Sequence, residues 1–124
     1  WSFERLCEYV AGKKGDVNGA AEIRRTLNGK FRDICKDVYN ASKDKLMKKS
    51  GYFDLLGFDF MLDEDLEPLL LEVNTNPALH TDCNVCADLL PGMVESVVGI
   101  VIEANGGGAV SVEKFGGFEC IIEE

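Results

Sequence analysis

Residues 51–81 read GYFDLLGFDFMLDEDLEPLLLEVNTNPALHT, and the middle of this stretch decides the fold. Phe58, Phe60 and Leu62 alternate with Asp59, Met61 and Asp63; after a polar turn, Leu69, Leu71 and Val73 alternate with Leu70, Glu72 and Asn74. A period of two belongs to a strand, so two strands joined by Glu64-Asp65-Leu66-Glu67 predict a β-hairpin. A symmetric register about that loop opposes residues whose numbers sum to 131. Leu62 then meets Leu69, Phe60 meets Leu71 and Phe58 meets Val73, an apolar face for the core. A slip of one residue would turn every side chain to the wrong side. Pro68, which cannot donate a ladder hydrogen bond, is the one objection to the pattern.

Working outward, Ile23, Leu27, Phe31, Ile34, Val38, Tyr39 and Leu46 recur at helical spacing, which predicts an amphipathic helix over residues 20–49. Its lysine-rich last turn and Gly51 suit a helix C-terminus. The first seventeen residues hold a tryptophan and other aromatics, and 12–19 carry the turn residues of a surface loop. Beyond the hairpin, 75–81 reads as a loop with Pro77. Asp82 is placed to cap a helix through Val85 and Leu89 to Pro91, and a second helical stretch runs from Met93 to near Glu103. Its β-branched residues leave strand open as an alternative. Asn105-Gly106-Gly107-Gly108 breaks the chain, and the tail would add a short hairpin around Gly116-Gly117 or remain loosely ordered. The expected class is α/β (α+β): a hairpin belonging to a larger antiparallel sheet, with helices 20–49 and 82–103 on one face.

Composition bounds the function. The chain has 124 residues, 46% hydrophobic and 28% charged, enough for one core. It starts at Trp1, which suggests excision from something longer, and it has no apolar run of about 18 residues, so neither a signal peptide nor a transmembrane helix is expected. The net charge of −9 divides into +5 over residues 1–50 and −14 over 51–124. Phosphates would be repelled by the second part unless divalent cations intervened, which argues against nucleic acid or an anionic membrane as partner. Five cysteines, an odd count, fit free thiols in a reducing cytosol.

The other face of the proposed hairpin sets Asp59 across from Glu72 and Gly57 across from Asn74. Two carboxylates about 4 Å apart repel by about 4 kcal/mol at an effective dielectric near 20, so a cation belongs there or one acid keeps its proton. Two carboxylates and an amide oxygen make the hard, all-oxygen donor set that magnesium takes. Glu72 and Asn74, two apart on a strand, point the same way, and Gly57 leaves space beside Asn74. The competing reading is a solvated acidic strand face.

With its flanks, this stretch resembles the closing motif of the tubulin tyrosine ligase-like enzymes, a family with the ATP-grasp fold, and the resemblance covers roughly residues 1–103. It implies that Asp59, Glu72 and Asn74 hold magnesium (manganese being the alternative ion) against the ATP phosphates, and that Leu71 packs beside the adenine. It implies a ligase that makes an acyl phosphate on a carboxylate, which an amine then attacks. The run from Glu72 to Thr81 is similar to the polyglycylase-like branch more than to the glutamylases, a polyglutamylase or tyrosine ligase of the same family being the alternative, with Thr75 and Asn76 where the amino-acid substrate would lie. The implied partners are tubulin or another glutamate-rich protein and free glycine, for an enzyme that is itself a monomer in the cytoplasm, at the cytoskeleton or cilium. Residues 1–104 would form the C-terminal subdomain and 105–124 a glycine-rich link and tail. The family's phosphate-gripping lysines and substrate arginines would precede Trp1, so the chain alone would be inert, and a truncated scaffold or interaction module is the alternative.

Two further clusters compete. His80, Cys83 and Cys86 form H-x-x-C-x-x-C, a partial zinc pattern that Cys7, Cys35 or Cys120 would have to complete; packing at a helix start is the favoured alternative, and a thioredoxin-like redox role lacks the strand expected before the motif, where a proline-containing loop stands. Lys43, Lys45, Lys48 and Lys49 would attract acidic tails, or simply solvate a helix end.

Overall fold

The computed structural model describes residues 1–123 apart from 17, 48, 50, 108, 109, 112 and 113, so Lys48 and part of the expected tail hairpin lie outside the described residues. The chain divides into two compact units, residues 1–43 with 58–74, and residues 44–57 with 75–124. Helices accompany one small antiparallel sheet, an α/β arrangement.

The first unit opens with a helix that the loop reading missed, α1, Phe3–Lys13. Ser2 caps it, its hydroxyl accepting the Arg5 N–H at 3.2 Å, and Glu4 and Lys13 suit the two ends of the helix dipole. Phe3, Leu6, Cys7, Val10 and Ala11 share one face, on which Cys7 and Ala11 are buried. Gly15, at φ 73°, ends the helix in a Schellman arrangement: Asp16 N–H bonds Ala11 O and Gly15 N–H bonds Gly12 O.

Helix α2, Ala20–Ser42, buries Leu27 and stops short of the expected 49. After Tyr39 the i+3 and i+4 positions are Ser42 and Lys43, so the apolar stripe has ended. Ser42 Oγ also turns back onto the carbonyls of Val38 and Tyr39. The Arg24–Glu4 pair, 2.8 Å apart, and the Phe3–Phe31 ring contact at 5.9 Å join α2 to α1.

Strands β1, Gly57–Leu62, and β2, Pro68–Asn74, form the expected hairpin with a different register. Leu66 N–H bonds Asp63 O, Asp63 N–H bonds Glu67 O, and Leu66 lies at φ 62°. This is a three-residue loop, a turn followed by a left-handed residue, so the turn end is closed by residues summing to 130 rather than 131. Asp63 makes the tighter turn by accepting the N–H groups of Asp65 and Glu67 on its carboxylate. Leu69 and Leu71, expected inside, are 49% and 60% exposed, while Pro68 and Leu70 are half-buried. Between Leu71 and Glu72 the alternation changes phase: both face outward, and Val73 returns inward. A change of phase within a strand is the pattern that a β-bulge produces. The inner face packs on α2 through Phe31 and Phe60, ring centroids 4.6 Å apart, with Phe58 stacked on Phe60 at 6.2 Å. Lys30 of α2 holds the turn, donating to Leu66 O at 3.3 Å and pairing with Glu67.

In the second unit a single helix, α3, Asn84–Asn105, replaces the two expected stretches and the strand alternative. Cys83, not Asp82, is its N-cap. Pro91 sits inside it; its fixed φ suits a helix, and its absent N–H costs one intrahelical bond rather than ending the element. None of the α3 residues is buried. By length and composition α3 could cross a membrane, with a mean hydropathy of 1.9 over its best window, where the sequence offered no transmembrane helix. The core helix of a soluble protein passes the same test. Lys114 reaches Glu103 at 3.2 Å, and the Phe115 ring lies where a Cβ on Gly99 would stand. No strand occurs among the described tail residues, so the expected hairpin gives way to a segment folded back on α3.

Candidate functional site

The hairpin brings Asp59, Glu72 and Asn74 together on its outer face. Asn74 Nδ2 donates to Asp59 Oδ2 at 3.0 Å and to Glu72 Oε1 at 3.2 Å. The phase change in β2 is what allows this: a hairpin kept at the turn-end register throughout would turn Glu72 to the side opposite Asp59. Asp59 and Glu72 are exposed and Asn74 is half-buried. The amide N–H groups supply the positive pole between two like charges.

The donor set fits a hard divalent cation. A half-turn of the Asn74 amide about its last side-chain bond puts Oδ1 where Nδ2 stands, and three oxygens then face one point. Three protein oxygens leave the remaining positions of an octahedral ion to water or phosphate, the usual division for magnesium. Leu71, beside Glu72 and 60% exposed, leaves an apolar side chain open to a ligand.

Thr75 and Asn76 follow β2 in an exposed bend of the second unit. Among the described residues no three His, Cys, Asp or Glu side chains stand together as a metal site, so the zinc reading of His80, Cys83 and Cys86 is not met. Cys83 Sγ instead accepts the Cys86 backbone N–H at 3.4 Å. All five cysteines are free. The basic cluster loses its helix end: Lys45 and Lys49 lie beyond α2, and Lys49 sits over the Tyr52 ring at 5.3 Å. Sequence reasoning missed the Lys30 latch and the Phe31–Phe60 contact; both lie on the apolar side of α2, where only a register could have matched them to the hairpin.

Comparison with known proteins gives consistent relatives. Residues 1–106 match the Tubulin-tyrosine ligase family. The chain is 39% identical over 105 residues to Inactive polyglycylase TTLL10 of Homo sapiens, covering 83% of this chain and 16% of that protein. It is 38% identical to Protein polyglycylase TTLL10 of Macaca fascicularis, covering 83% and 17%. It is 30% identical to Tubulin glycylase 3B of Drosophila melanogaster, covering 83% and 13%. The chain therefore spans about a sixth of the length of the curated relatives it matches first. No solved structure matches it.

Proposed function

The chain belongs to the tubulin-tyrosine ligase family, and from that premise we propose that it forms the metal-holding edge of an ATP-dependent ligase that joins glycine to glutamate side chains of tubulin or a similarly acidic protein. In this reading the hairpin is part of a larger antiparallel sheet of ATP-grasp type, and residues 1–104 act as its C-terminal subdomain. Asp59, Glu72 and Asn74 hold magnesium, or manganese, against the ATP phosphates, and Leu71 gives the adenine an apolar contact.

The observation that carries the proposal is the single Asn74 amide shared by both carboxylates. Opposed acids kept together at a strand pair are a standing cost unless a positive partner repays it. Magnesium, when bound, supplies charge that neutralises phosphate oxygens and holds them in line. The protein's own part is electrostatic and positional. Asp59 and Glu72 provide the negative charge, Asn74 presents nitrogen or oxygen according to its neighbour, and Lys30 fixes the turn from which both strands depart. Such a ligase passes the γ-phosphoryl group to a carboxylate, and the incoming amine displaces phosphate to form an amide. No protein nucleophile is required. Thr75 and Asn76 are proposed to meet the amino-acid substrate, in an enzyme acting as a monomer at the cytoskeleton or cilium.

The test is turnover of the full-length protein with ATP, magnesium, tubulin and glycine, beside its Asp59→Ala and Glu72→Gln variants. Loss of incorporation in both variants is expected; equal turnover in wild type and variants rejects the assigned roles. A second reading, a family member without ligase activity that serves as a scaffold, is favoured by the similarity to a human relative described as inactive. Magnesium-dependent stabilisation without incorporation of any amino acid would select it.

A further inference from the structure

Cys83 and Cys86 stand outside the ligand set, and their placement has a chemistry of its own. Cys83 caps α3 in an extended conformation, φ −130° and ψ 155°, with its sulfur turned onto the first turn, where it accepts the Cys86 N–H at 3.4 Å. Cys86 itself lies one turn along, in the first turn of α3, three residues from the cap. Cys83 is exposed and Cys86 half-buried, so Cys83 is the more open of the two residues.

We propose that Cys83 and Cys86 form a redox-active dithiol site whose substrates are low-molecular-weight disulfides. The Cys83 thiolate attacks one sulfur of such a disulfide; that S–S bond breaks, a mixed disulfide forms at Cys83, and the first small thiolate leaves. Cys86 gives up its proton to that leaving thiolate and attacks Cys83 Sγ. The Cys83–Cys86 bond forms as the mixed disulfide breaks, and the second small thiolate leaves and takes a proton from water, replacing the one that Cys83 had released. Two protein thiols are oxidised by two electrons, and one small disulfide is reduced to two thiols.

The electrostatics assign these roles in that order. The Cys86 backbone N–H, then the Cys86 thiol and the Val85 N–H, hold the Cys83 thiol below its ordinary range. The Cys83 sulfur, then burial and Asp82, push Cys86 above it. A lowered thiol at a helix N-terminus is the attacking partner of a C-x-x-C pair, and a raised, shielded one is the resolving partner. Cys7 and Cys35, both pushed up by burial, serve as inert references within the same chain.

The full-length protein is incubated with oxidised glutathione at neutral pH, quenched in acid, and mapped by peptide mass. The wild type should lose two hydrogens across the Cys83–Cys86 peptide. Cys86→Ser should stop at a glutathione adduct on Cys83, and Cys83→Ser should leave Cys86 unmodified. In the wild type alone, iodoacetamide should label Cys83 several-fold faster than the exposed Cys120, a reading that does not depend on how any variant folds. Absence of the Cys83–Cys86 disulfide at every glutathione ratio, or equal labelling of Cys83 and Cys120, overturns the proposal.

Discussion

Asp59→Asn removes one of the two charges at the centre of the site, and the effect can be worked from the geometry. Both carboxylate oxygens lie within 3.2 Å of one nitrogen. Their separation is therefore about 6 Å or less, where two unit charges repel by about 0.7 kcal/mol in water and about 3 kcal/mol at an effective dielectric near 20. Because both acids are exposed, the lower figure governs, and relief of about 1 kcal/mol is expected. Against it stands a weaker hydrogen bond from Asn74, now to a neutral acceptor, at about 0.5–1 kcal/mol. Without divalent ions the variant should melt within a degree or two of wild type. With magnesium and ATP the two should part: a ligand at about ten times its dissociation constant stabilises the native state by about 1.4 kcal/mol, and a protein that has lost one of two charged ligands gains little of that. The assay is thermal unfolding of the full-length protein with ATP, in magnesium and in chelator. Equal magnesium-dependent shifts in wild type and Asp59→Asn would refute the reasoning.

Other substitutions test the frame around the site. Leu66→Gly should be about 1 kcal/mol more stable than Leu66→Ala in denaturant unfolding, reversing the usual order, because the left-handed conformation charges alanine and spares glycine; alanine equal or better would show that the turn is not strained there. A double-mutant cycle between Phe31→Leu and Phe60→Leu should return a coupling of about 0.5–1.5 kcal/mol, and additivity would mean that the rings do not hold hairpin to helix. Leu27→Ala, at a site 1% exposed, should lose about 3 kcal/mol, and a loss under about 1 kcal/mol would remove Leu27 from the core. Burial raises the Cys7 thiol above its ordinary range, so its contribution is complete below that range and is lost as pH climbs through the raised value. Wild-type stability should therefore fall more steeply on the alkaline side than that of Cys7→Ala; parallel profiles would show no linkage.

The hairpin was legible because Phe58, Phe60 and Leu62 alternate with polar or outward residues, a signal that survives errors elsewhere. Its turn was not, because Leu66 takes a left-handed conformation that sequence reading expects of glycine or asparagine, and one residue of register went with it. The Asp59, Glu72 and Asn74 cluster was nevertheless placed on one face, since the phase change in β2 cancels the error before Glu72 is reached. Leu69 and Leu71 lie on the turn side of that correction, and there the expected inner face was wrong. Helix α1 was hidden behind the polar run from Gly12, although Ser2 and the 3, 6, 7, 10, 11 spacing announce it. In α3, Pro91 looked like a boundary because a missing N–H is visible in sequence while the surviving helical φ is not.

The change of phase between Leu71 and Glu72 sets a rule for how this segment can vary in length. Loops ordinarily absorb insertions and deletions, and the connection between α1 and α2 should do so freely. Within β2, removing a single residue between Leu70 and Val73 would erase the phase change, leaving the strand without one of its two adjacent outward positions. Homologous chains that keep the acidic pair should therefore differ in length anywhere but there, and a chain shortened at that point should have lost the carboxylate cluster with it.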